Sequence, residues 1–121
     1  IINMGSVAGR EVYPNGNVYC ASKFAVEGLS RALRLDVAPF GIKVTTISPG
    51  AVETEFSVVR FGGDESKAAA VYEGITPLTG PDIAEMVWFA ASQPAHICIN
   101  DINLTCTAQA NVSTMIRNAG L

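Results

Sequence analysis

Two short runs rich in β-branched residues, residues 1–5 and 42–48, bracket one long helical pattern, and no other feature constrains the fold as much. A strand, a helix and a second strand make a βαβ unit, with parallel strands and a right-handed crossover. Near-continuous apolar runs of this length suit strands that are covered on both faces. The pattern between them, residues 18–39, makes about six helical turns. It ends at Pro39 and Gly41, which cannot continue it. The expected fold class is therefore α/β with an open parallel sheet.

The helix opens on Asn17-Val18-Tyr19-Cys20-Ala21-Ser22-Lys23, with Asn17 as its expected cap. Positions i and i+4 share a helix face, so a phenol and an ammonium become neighbours. A free tyrosine titrates near pH ~10, too high for efficient acid–base work at neutral pH. A nearby ammonium favours the phenolate form. Upstream, Ser6 follows the first strand, and open α/β sheets bind ligands at the carboxyl ends of their strands. Downstream, Ser48-Pro49-Gly50-Ala51-Val52-Glu53-Thr54 closes the second strand. Pro49 has no amide to donate, and Gly50 lets the main chain approach a ligand closely.

A serine thirteen residues before the tyrosine, a Tyr-x-x-x-Lys and a strand ending in Pro-Gly-x-Val-x-Thr occur here in that order. Together they resemble the short-chain dehydrogenase/reductase family over residues 1 to about 105. The resemblance implies part of a Rossmann-type doubly wound parallel sheet. It implies an oxidoreductase that interconverts an alcohol and a carbonyl, with Ser6, Tyr19 and Lys23 catalytic. Tyr19, Lys23, Pro49, Gly50, Val52 and Thr54 would meet the nicotinamide cofactor. No glycine-rich turn following a strand precedes Ser6, and a dinucleotide fold needs one. The chain thus reads as the carboxyl-terminal part of a single domain, lacking the amino-terminal dinucleotide-binding half and inactive by itself.

Residues 55–79 form an insert placed like a lid, with Asp64 capping a short helix through Tyr72. Thr54-Glu55-Phe56-Ser57, Val59-Arg60-Phe61, Tyr72 and Leu78-Thr79 make the chain similar to NADP-dependent 3-hydroxy acid (serine/allo-threonine) dehydrogenases. That likeness implies NADP, with NAD still open, and a small hydroxy acid as substrate. A cation should then meet the substrate carboxylate; Arg60 is the first candidate and Arg10 the second. The same Ser, Tyr and Lys also suit a 3-oxoacyl or sugar-type reductase of the family. A reading of another class is a non-catalytic fragment acting only through subunit pairing, since two or three strands with open edges tend to associate.

Ala21, Ala25, Gly28 and Ala32 form a small-residue row on the 18–39 helix, while Phe24, Leu29, Leu33 and Val37 supply bulk. By resemblance this helix pairs with its counterpart in a homodimer or homotetramer. Glu27, Arg31, Arg34 and Asp36 read as solvated or salt-bridging positions. A further helix is expected over 80–93, a last strand over 97–105 and, beyond it, a tail ordered only against another subunit. The net charge of −3 offers no footprint for nucleic acid. No apolar stretch reaches the ~20 residues that span a bilayer. Cys20, Cys98 and Cys106 lack metal-site spacing and read as reduced thiols of a cytoplasmic protein.

Overall fold

The most deeply buried segment is the strand β2 (Thr45–Pro49), where Thr45, Thr46, Ile47 and Ser48 are all closed to solvent. It is paired on both edges. In this computed structural model, which describes residues 1–120, β1 (Ile2–Met4) lies on one side of it and β5 (Asp101–Leu104) on the other. Both pairings are parallel, with Asn3 opposite Thr46 and Ile47 opposite Ile102. The expected α/β class with a parallel sheet is what forms. Strand β2 starts three residues later than the apolar run and extends through Pro49, which sits opposite Leu104 at the end of the ladder. A missing amide donor is tolerated at such a terminus. The last strand is likewise shorter than the run expected over 97–105, forming only from Asp101 to Leu104.

The long helix α1 (Asn17–Val37) crosses from β1 to β2 and runs into a 3₁₀ turn, Ala38–Phe40, closed by Gly41 at φ 68°. Gly16, not Asn17, occupies the capping position; Asn17 is the first helical residue, and its side chain accepts from the Val18 amide. The face that docks on the sheet is a largely polar one. Cys20, Lys23, Glu27, Ser30 and Arg34 follow the 3-4-3-4 spacing of one helix face. Lys23 donates to the Met4 carbonyl, Ser30 accepts from Asn3, and Arg34 donates to the carbonyls of Val44 and Asn100. Glu27 is buried and accepts from the Ser48 hydroxyl at 2.9 Å. Glu27 also pairs with Arg10 at 3.6 Å and Arg31 at 3.8 Å, in line with the salt-bridging reading, whereas Arg34 anchors the helix through main-chain carbonyls instead. Phe24 and Leu29 are exposed. The helix is pinned by polar side chains that reach strand groups, and Val18, Phe24, Leu29 and Leu35 are left exposed.

Strands β3 (Val52–Glu53) and β4 (Leu78–Thr79) make a second, two-stranded parallel pair. Between them lie α2 (Phe56–Arg60) and α3 (Glu65–Tyr72). Asp64 caps α3 by accepting from the Lys67 amide, as expected. Helix α4 (Gly80–Ala91) follows β4 directly. The hydroxyl and amide of Thr79 both donate to Asp82 at 2.7 Å, and these bonds hold the Asp82 carboxyl below its ordinary value. A depressed carboxyl stabilises the fold above its unfolded value and loses that contribution as pH falls through the folded one. Asp82→Asn should therefore lower the melting temperature at neutral pH, and the gap to the wild type should close in strong acid.

Residues 106–120 are ordered against their own chain, which corrects the expectation of a tail ordered only by another subunit. Cys106, Ala108 and Gln109 are buried. Gln109 accepts from the Ala51 amide, the Val112 amide donates to Glu11, and Arg117 donates to the carbonyls of Val71 and Glu73. None of the helices is long and apolar enough to cross a membrane, among the described residues.

Candidate active site

At the carboxyl ends of β1 and β2 lies a pocket of about 490 Å³. Its walls come from the start of the chain, the first turn of α1, the loop after β2, the α2–α3 insert and residues 109–115. Ser6 stands just past β1 and is buried. Its oxygen accepts from the Ala8 amide at 3.1 Å, capping the 3₁₀ turn Val7–Gly9. A hydroxyl that accepts in this way keeps its own proton to donate.

That 3₁₀ turn packs flush on α1. A Cβ on Gly9 would stand 2.8 Å from the Lys23 carbonyl oxygen, so only glycine fits. Lys23 spends one donor on the Met4 carbonyl at 3.1 Å, and its Nζ lies 5.8 Å from the centre of the Tyr19 ring. An ammonium has three donors, so two remain for other groups. Tyr19 is half-buried, and Phe56 of α2 lies at a tilt to its ring with centroids 5.5 Å apart. The phenol is thus held between the lysine behind it and the insert in front.

Pro49, Gly50, Val52 and Thr54 line the same pocket. A side chain at Gly50 would overlap the Gln109 amide, so the turn is built for close main-chain packing. Arg60 also lines the pocket, its guanidinium 5.3 Å from the centre of the Tyr13 ring. Burial raises the Tyr13 phenol above its ordinary value, and the Arg60 charge opposes that rise. Arg10 does not reach the pocket. It pairs with Asp101 at 3.1 Å and with Glu27 at 3.6 Å, so it ties β5 to α1. Two carboxylates already hold it, outside the pocket lining.

Several wall residues were not singled out from sequence as site residues. Tyr72 donates to the Val52 carbonyl at 2.8 Å, and its oxygen lies 2.8 Å from the Ser57 hydroxyl, tying the insert to the loop after β2. Phe56 covers Tyr19, and Gln109, Val112 and Met115 close the far wall. The only sequence signal for the last three is their distance from any regular periodicity.

A family model described as short chain dehydrogenase matches residues 1–62, more than half of the chain. The chain is 48% identical over 101 residues to the NADP-dependent 3-hydroxy acid dehydrogenase of Schizosaccharomyces pombe, covering 84% of this chain and 39% of that protein. It is 44% identical over 110 residues to sulfoacetaldehyde reductase 2 of Chromohalobacter salexigens, covering 91% of this chain and 44% of that protein. Among solved structures, the closed form of a serine dehydrogenase complexed with NADP+ superposes with a TM-score of 0.90 at 43% identity, covering 93% of this chain and 46% of that one. The chain spans under half the length of these relatives. Matched by the family model across its serine, tyrosine and lysine, it belongs to the short-chain dehydrogenase family.

Proposed function

We propose that the whole protein interconverts an alcohol and its carbonyl with NADP(H), acting on a small acid. The convergence of Ser6, Tyr19 and Lys23 on one pocket, beside the Pro49–Thr54 segment, carries this reading. The names of two relatives support the substrate class. In a 3-hydroxy acid and in sulfoacetaldehyde alike, one carbon separates the reacting carbon from an acid group.

The pocket suits the nicotinamide–ribose end of a dinucleotide: its volume falls in the range of cofactor sites, Lys23 has spare donors for hydroxyls, and the Gly50 turn brings main chain close. When bound, the cofactor supplies the hydride exchange. The chain's own residues do the rest. Tyr19 takes the proton from the alcohol, or returns it to the carbonyl in the reverse direction. Lys23, fixed by the Met4 carbonyl, keeps a positive charge beside the ring that must carry the phenolate. Ser6 donates to the substrate oxygen as charge develops on it. Phe56 and the 109–115 wall keep water from the reacting atoms. Arg60 meets the acid group of the substrate.

Pairing of two copies through α1 belongs to the same reading. The small residues Ala21, Ala25, Gly28 and Ala32 are exposed, as are Val18, Phe24 and Leu29. An apolar face of that extent suits an interface.

The test is direct. The whole protein, given NADP+ with 3-hydroxypropionate, serine or 2-hydroxyethanesulfonate, should form NADPH and the matching carbonyl product. No NADPH with any of the three would overturn the reading.

A further inference from the structure

Past the end of β2 the main chain leaves the sheet but still forms a wall of the pocket. The Gly50 amide donates to the Leu104 carbonyl at 2.8 Å, the last residue of β5. The Ala51 carbonyl accepts from the Leu78 amide of β4 at 3.0 Å. The Ala51 amide donates to neither strand. A side chain takes it instead: Oε1 of Gln109, fifty-eight residues further on, accepts from it at 2.8 Å. A part-buried amide without an acceptor is costly, so the turn keeps its shape only while an acceptor stands there.

Gln109 is well placed to be that acceptor. It is 6% exposed, and its Cδ lies 2.9 Å from where a Cβ on Gly50 would stand, so its amide lies flat on the turn. Its own backbone is fixed. The Gln109 amide donates to the Cys106 carbonyl at 2.9 Å, and an antiparallel bridge joins Gln109 to Met115. The Ile116 amide donates to the Ala108 carbonyl at 2.8 Å. Between them, the Asn111 side chain accepts from the Ser113 and Thr114 amides and rounds off the loop. The pinned residue, Ala51, directly precedes Val52 in the segment that runs to Thr54.

We propose that Gln109 is a positioning residue for the cofactor's nicotinamide end. By holding the Ala51 amide it fixes the Gly50–Ala51 turn, and with it the main chain of Val52 that follows. It acts through Ala51 alone. The ligand's identity rests on the dehydrogenase reading; the pin does not.

Two measurements on the whole protein test it. The first is amide hydrogen exchange at Ala51 without ligand. Gln109→Met has the same length but no oxygen, and Gln109→Asn is one carbon too short; in both, exchange should quicken at least about tenfold. Gln109→Glu keeps an acceptor at the same reach and should stay within about threefold of wild type. The second is calorimetric affinity for NADP+ and for ADP-ribose 2′-phosphate, which is NADP+ without its nicotinamide. Gln109→Met and Gln109→Asn should weaken NADP+ about 3- to 30-fold and leave ADP-ribose 2′-phosphate within about twofold, with Gln109→Glu close to wild type for both. A role in general stability alone would weaken both ligands together. Unchanged exchange at Ala51 in Gln109→Met and Gln109→Asn would overturn the pin. Quickened exchange with both ligands weakened equally, or neither, would overturn the nicotinamide role. Quickened exchange in a protein whose wild type binds neither ligand would uphold the pin and overturn the dehydrogenase reading instead.

Discussion

Tyr19→Phe in the whole protein should cut turnover roughly a hundred- to ten-thousand-fold, the contribution of a positioned acid–base group. Its selectivity is what makes the substitution informative. The ring stays, and with it the packing on Phe56 and the neighbouring Lys23 charge. Only the oxygen goes, so NADP affinity should remain within about twofold, because no ring contact at the pocket is lost. Stopped turnover with unchanged cofactor affinity is the expected pair of results. Near-wild-type turnover would remove Tyr19 from the chemistry.

Gly9→Val should damage both stability and rate. The new Cβ would meet the carbonyl oxygen of Lys23 at 2.8 Å and its carbonyl carbon at 3.1 Å. Both are helix backbone and cannot swing aside as a side chain can, so either the 3₁₀ turn or α1 must move. Overpacking of this kind costs about 1–3 kcal/mol, which lowers the melting temperature by several degrees. The displaced residue is the lysine that flanks Tyr19, and the displaced turn is capped by Ser6. Turnover should therefore fall further than the lost stability alone would account for, with Gly9→Ala intermediate. A Gly9→Val protein that melts and turns over like wild type would show that turn and helix do not meet as described.

What could be read from sequence was whatever depends on short spacings. The strand–helix–strand alternation, the Tyr19–Lys23 pair at one helical turn and the Asp64 cap all rest on residues within a few positions of each other. Ser6 and the Pro49–Thr54 segment followed from their places at strand ends. Features set by distant partners were not legible. Glu27 sits in a charged stretch of helix and reads as solvated or salt-bridging; its burial against Ser48, twenty-one residues away, leaves no local signal. Arg10 was a free cation on paper until Asp101, ninety-one residues on, engaged it. Gln109 and Val112 lack any period because side-chain and main-chain bonds to Ala51 and Glu11 hold them, not a helix or strand. Nor does the bulk of α1's apolar residues tell which face meets the sheet, since polar groups occupy that face.

The pocket walls that lie farthest apart in the chain, residues 4–8 and 109–115, face one another across a single cavity. During synthesis the ribosome releases the first of these roughly a hundred residues before the second, and domains tend to organise as the chain emerges. Contacts spanning such separations form slowly, because a long loop must close first. The serine and tyrosine would therefore be in place on a nascent chain whose cavity still lacks a side. Ligand-binding competence should appear abruptly, when about a second of elongation delivers Gln109 through Met115 and the enclosure is sealed.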